Sequence, residues 1–236
     1  MSSIIKKRYS KPELYFGAAS KSKIHLGKRK NDECESENND TEDLLKMLSK
    51  KSNLASEGGD NLYTIDNNIY FQDDITHDTI SSLNKEIRLL GSELELMGRT
   101  YKVDPPAIIL HITSYGGSVT AAFSAIDCIE SSVVPVHTII DGYAASAATM
   151  ISVCGAKRYI KKNASMLIHQ LRAGAWGKMS DIEDTYTNLQ KAHEQIKQIY
   201  LTKTKIKRKN LSKILEHDLD WNASECLENG LVDEII

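Results

Sequence analysis

The sequence predicts an α/β domain, and three observations carry that prediction. Short, almost unbroken apolar runs at 107–112, 133–140 and 165–168 have the length and composition of strands. Between them, apolar residues recur at every third or fourth position, as they do on the buried face of a helix. The two kinds of segment alternate along the chain, the order expected of a layered sheet-and-helix fold.

The first strand is expected at Ile69, Tyr70 and Phe71. A helix follows over 75–96, because Ile80, Leu83, Ile87, Leu90 and Leu94 fall on one face. Residues 98–106 carry glycine and two prolines and break it. The run at 107–112 is apolar at every position except His111, so a strand covered on both faces is expected. His111 within it reads as a satisfied structural residue, not as a base.

Next comes a turn, Thr113, Ser114, Tyr115, Gly116, Gly117, Ser118, leading into a helix whose Val119, Ala122, Phe123, Ile126 and Ile129 repeat at helical spacing. A second unit repeats the form: a strand over 133–140, a turn at Asp141 and Gly142, and a small-residue helix over 143–154. A third strand, 165–168, runs into His169. The last long helix spans 181–200, with Ile182, Tyr186, Leu189, Ile196 and Ile199 expected inward. Its basic end, 203–209, complements the helix dipole and needs no nucleic acid to explain it.

The chain has 236 residues, of which 41% are hydrophobic, enough for one buried core and a polar extension. That division falls near residue 60: a structured domain over 61–236, preceded by a polar segment over 1–60 whose composition predicts disorder. Within 41–48, Thr41 as a cap and Leu44, Leu45 and Leu48 on one face predict a short docking helix. The basic block at 21–30 is followed by an acidic one, which reads as a solvated, charge-balanced tail. Thirty basic against thirty-two acidic side chains give a formal net charge of −2, which provides no field for gathering nucleic acid or anionic lipid.

No run approaches the roughly 20 apolar residues of a membrane span, and the first residues lead into polar sequence, so a soluble, cytoplasmic protein is expected. The four cysteines, Cys34, Cys128, Cys154 and Cys226, form no C-x-x-C pair and read as reduced, structural thiols.

Ser146 stands where a strand-turn-helix unit meets four small residues, Ala144, Ala145, Ala147 and Ala148, which would leave its hydroxyl approachable. A hydroxyl needs a base before it becomes a nucleophile. His169, closing an apolar strand at a sheet edge, is the natural one. The turn at Gly116 and Gly117 offers backbone N–H groups ahead of a helix, where a developing oxyanion would be stabilised.

These segments together resemble the ClpP family, the proteolytic subunits of the caseinolytic protease. In that family a strand leads to Ser-Pro-Gly-Gly-Ser, a later Gly-x-Ala-Ala-Ser-Met holds the nucleophile, and Met-Ile-His-Gln-Pro holds the base. The matching stretches here are 113–119, 142–147 and 166–171, with Gly-x-x-x-Asp-Ile-Glu at 177–183 and Glu-x-Gly-Leu-Val-Asp at 228–233. The resemblance covers about 69–236 in unbroken motif order.

The resemblance implies a ClpP/crotonase-like spiral of β-β-α units with a long handle helix. It implies a serine endopeptidase with Ser146 as nucleophile, His169 as base and Asp218 as the acid that orients the imidazole, Asp220 being the nearest rival. The oxyanion donors fall on Gly117 and Ala147. Also implied are a homo-oligomer of two stacked rings, a tetradecamer in the family, an AAA+ unfoldase partner, and polypeptide substrates cut through an acyl-enzyme without metal or organic cofactor. Tyr115, Ala147, Leu171 and Ile214 depart from the family pattern. Two other readings stay open: a structural ring subunit without activity, and a crotonase acting on acyl-coenzyme A, which would not require Ser146, His169 and Asp218 together.

Overall fold

The computed structural model describes residues 61–236. The readings of a disordered extension over 1–60, of a short helix at 41–48 and of Cys34 as a reduced thiol lie outside the described residues.

A hairpin opens the domain, β1 (Leu62–Ile65) pairing antiparallel with β2 (Asn68–Phe71). Helix α1 (His77–Tyr101) starts on a capping box in which Thr76 Oγ1 accepts from the N–H of Thr79. Its predicted face is buried: Ile80, Leu83, Ile87, Leu90 and Leu94 all enter the core. Then follow β3 (Ile108–Ser114), α2 (Val119–Glu130), β4 (Val136–Ala145), α3 (Ala147–Ser152), β5 (Arg158–Ile160) and β6 (Ser165–Leu167). The chain ends with α4 (Met179–Lys203), α5 (Arg208–Leu215), β7 (Asp220–Asn222), α6 (Ala223–Glu228) and β8 (Glu234–Ile235).

The main path of the sheet runs β1-β2-β3-β4-β5-β8, parallel at every pairing after the opening hairpin. β4 is its branch point. Thr138, Ile139 and Ile140 pair with β5, whereas Tyr143, Ala144 and Ala145 pair with β6, and β7 lies antiparallel on β6. The register with β3 shifts from Ile112↔Ile140 to Ser114↔Ala144, so β4 takes up extra residues at this point.

Three expectations are corrected by the fold. Asp141 and Gly142 do not make a turn, and residues 143–145 are not helical: β4 continues through them because a second partner, β6, satisfies its backbone beyond the irregularity. β3 is not covered on both faces. Ile108, Leu110, Ile112 and Ser114 are buried while Ile109, His111 and Thr113 are half-buried, the alternation of a strand with one core face. Finally, Ile182 and Tyr186 do not point inward. Only Ile196 and Tyr200 of α4 are buried, because the first turns of the helix run beyond the body that its last turns pack against.

Cys128, Cys154 and Cys226 are buried and unpaired, and burial raises the thiol pKa of each, to about 12 for Cys154 and Cys226. Among the described residues no helix is long and apolar enough to cross a membrane.

Candidate active site

Ser146 occupies the one-residue corner between β4 and α3. Its backbone sits at φ 56°, ψ −123°, a conformation that side-chain-bearing residues rarely adopt and that costs about 1–3 kcal/mol. Three hydrogen bonds hold it there. The Ser146 N–H donates to Leu167 O at 2.8 Å, tying the corner to β6, and its carbonyl accepts from Thr149 N at 3.0 Å and Thr149 Oγ1 at 2.6 Å. Since the Thr149 proton is committed to Ser146, Tyr200 must donate its hydroxyl to Thr149 Oγ1, also at 2.6 Å. Tyr200 is buried, which pushes its phenol well above its ordinary value and keeps it a neutral donor. The Ser146 corner is thus braced from the long helix α4.

The four alanines around Ser146 are packed inside the protein, so what they provide is close packing. The glycine turn uses that closeness. A Cβ on Gly116 would lie 2.6 Å from Ala145 O and 2.8 Å from Ser146 Cβ, and Gly116 has φ 93°. Gly117, at φ 145°, lies against Ile75 in an isolated parallel bridge. That bridge takes Gly116 O and Ser118 N, leaving the Gly117 N–H outside the turn's own bonds. Ala147 is the first residue of α3, where the N–H has no intrahelical acceptor.

Ser146, Gly117 and His169 line one cavity of about 190 Å³, together with Tyr115, Arg172 and Tyr200. His169 stands two positions past the end of β6, after the buried Ile168, and the residue after it is anchored, Gln170 N donating to Leu215 O at 2.8 Å. Its Nδ1 is buried and has no hydrogen-bond partner. Asp218 does not join it: its carboxylate is ion-paired with the guanidinium of Arg172. Asp220 is engaged elsewhere, accepting from Tyr143 Oη at 2.8 Å. Burial and that neighbouring carboxylate push the Tyr143 phenol up to about 12.

The structure therefore brings together Ser146, His169, Gly117 and the start of α3 at Ala147, and leaves Asp218 on Arg172. His111 is remote in role: its Nδ1 meets Asp141 Oδ2 at 2.7 Å, its Nε2 meets Asn68 Oδ1 at 3.2 Å, and its ring stacks on Tyr70. Residues that sequence reasoning missed are Thr149, Tyr200 and Arg172. Thr149 was signalled only by standing three residues after Ser146, the reach of a helical back-bond.

A family model described as Clp protease matches residues 69–236, most of the chain. The chain belongs to the Clp protease family. Its mixed α/β sheet with flanking helices is that family's fold, and the match begins at Ile69 on β2 and takes in all the elements that follow. As a Clp protease it carries the domain of a family of peptidases that assemble into oligomeric rings. Among the described residues, no group of three or more His, Cys, Asp or Glu side chains is disposed to hold a metal ion.

Proposed function

We propose that this chain is a serine endopeptidase that cleaves unfolded polypeptides and short peptides through Ser146, His169 and Asp218. The observation that carries the reading is the strained strand-to-helix corner of Ser146, opening into one cavity with His169 and with the backbone of Gly117. Strain of that kind persists where the surrounding structure over-determines it, and it clusters at reactive positions.

In this reading His169 removes the Ser146 hydroxyl proton as Oγ attacks the scissile carbonyl. The N–H groups of Gly117 and Ala147 receive the oxyanion, a contribution of about 10²–10³ in rate for each well-aimed donor. His169 then protonates the leaving amine, and water repeats the sequence on the acyl-enzyme. Asp218, once on the imidazole Nδ1–H, fixes its tautomer and stabilises the imidazolium.

Assembly into stacked rings is supported by the free end of α4 and the segment before it, where Trp176 is 98% exposed and Met179 and Tyr186 are also open to solvent. Large substrates would then need a separate AAA+ unfoldase, since the chain has no G-x-x-x-x-G-K-[ST] loop.

A ring subunit without activity is the second reading, favoured by the Asp218 carboxylate lying on Arg172 while His169 Nδ1 lacks a partner. One experiment separates the two. A fluorophosphonate probe should modify Ser146, located by peptide mass mapping, and Ser146→Ala should abolish cleavage of a fluorogenic peptide while the particle still assembles. No adduct on Ser146, or undiminished cleavage by Ser146→Ala, defeats the peptidase reading.

A further inference from the structure

The geometry points to Arg172 as a latch: it competes with His169 for Asp218, and a peptide carboxylate that takes the guanidinium releases Asp218 to the imidazole. This rests on the peptidase reading, and it adds a substrate preference and a way of switching the site.

The loop that carries Asp218 is pinned at both ends to the segment that carries His169. At one end Leu215 O accepts from Gln170 N at 2.8 Å, and at the other Asp220 stands opposite Leu167 in the β6–β7 pair. Residues 168 and 169 lie between those two anchors, so Asp218 sits on a short bridge spanning the base. Arg172 lines the same cavity as Ser146 and His169. One carboxylate is thus offered two cationic or N–H partners on one short stretch of chain.

The present choice is the weaker of the two. The Arg172 and Asp218 side chains are 70% and 49% exposed, and an ion pair that open to water is loosely held and screened by salt. His169 Nδ1, by contrast, is enclosed and unpaired, and a buried polar nitrogen gains most from an acceptor. Asp220 does not substitute, because Tyr143 already holds it. What keeps Asp218 away is the guanidinium, and a second carboxylate is the ligand that a guanidinium fork binds best. A peptide brings one either as an acidic side chain near the scissile bond or as its own C-terminus.

The test uses the full chain in its assembled form, with Arg172→Gln and Arg172→Lys beside it. Matched fluorogenic peptides carry Glu or Gln at one internal position with an amidated C-terminus, and a further pair differs only in a free or amidated C-terminus. The unmodified protein should prefer a carboxylate-bearing peptide by about tenfold in kcat/KM, and the pair that shows the preference identifies its source. In Arg172→Gln the preference should fall to about one while uncharged peptides are cleaved faster, and Arg172→Lys should retain part of it. An unchanged preference in Arg172→Gln, or slower cleavage of uncharged peptides, overturns the latch. A crystal structure of Arg172→Gln tests the latch without turnover: the Asp218 carboxylate on His169 Nδ1 supports the proposal, and a carboxylate still turned away overturns it. That arm decides the latch even if the chain proves to hydrolyse nothing.

Discussion

Tyr200 donates its buried hydroxyl to Thr149 Oγ1 at 2.6 Å, across the seam between the handle helix and the short helix that follows Ser146. The two positions are not equivalent. Tyr200→Phe removes a donor and leaves Thr149 still bonded to Ser146 O, a loss of about 1 kcal/mol. Thr149→Val strands the Tyr200 hydroxyl in the core and deprives Ser146 O of one of its donors, so about 2–3 kcal/mol is expected. Urea unfolding of each variant at one fixed protein concentration checks the order, and a costlier Tyr200→Phe would contradict a proton running from Tyr200 to Thr149 and on to Ser146 O.

Two glycines, Gly116 and Gly142, should respond very unequally to alanine. Gly116→Ala forces a Cβ against Ala145 O and Ser146 at a φ of 93°, so a destabilisation above about 2 kcal/mol and loss of probe labelling at Ser146 are expected. Gly142→Ala meets nothing nearer than Thr113 at 3.9 Å and should change stability by less than about 1 kcal/mol. Equal effects in a thermal melt would mean that the Gly116 turn yields without disturbing Ser146.

The corner at Ser146 predicts a trade between reactivity and stability. Glycine accepts φ 56°, ψ −123° without strain, whereas alanine does not. Ser146→Gly should therefore be more stable than Ser146→Ala by about 1 kcal/mol, after the extra entropy that glycine loses on folding. Both should be inactive. Denaturation midpoints in the reverse order would remove the case for stored strain.

Acid should loosen the end of the domain. Arg158 donates to both carboxylate oxygens of Asp233, and to Lys203 O and Gly230 O, joining β5 to the end of α4 and the last turn. Chiefly through these bonds, the Asp233 pKa is held below its ordinary 3.8. A carboxyl whose folded pKa is depressed contributes stability above its unfolded value and loses it as pH falls through the folded one. Because Asp233 is half exposed, the contribution is small, of the order of 1 kcal/mol or less. Asp233→Asn should be less stable than the unmodified protein at neutral pH, with the gap closing below pH 3.8. A gap that does not shrink in acid would place the effect of Asn elsewhere.

Periodicity made α1 and α2 legible because a buried helix face repeats its apolar residues in the sequence itself, as Ile80, Leu83 and Ile87 do. It misjudged α4 because an apolar stripe identifies a face without saying what covers it, and Tyr186 remains 61% exposed. Asp141 and Gly142 have the composition of a turn; only the second pairing partner, distant in sequence at β6, makes them part of a strand. That Ser146 and His169 face one cavity was foreshadowed by their settings at a corner and just past a strand end. Whether Arg172 or His169 captures Asp218 is a contest between two side chains three positions apart, which counting along the chain does not decide.

The forked strand β4 sets an order of assembly. Its first half needs β5 and its second half β6, both made after it, and its opposite edge needs β3, made before it. The link from Ser146 N–H to Leu167 O continues that second pairing and closes only when β6 docks. A growing chain that stops short of β6 therefore holds a serine but not yet the corner that aims it.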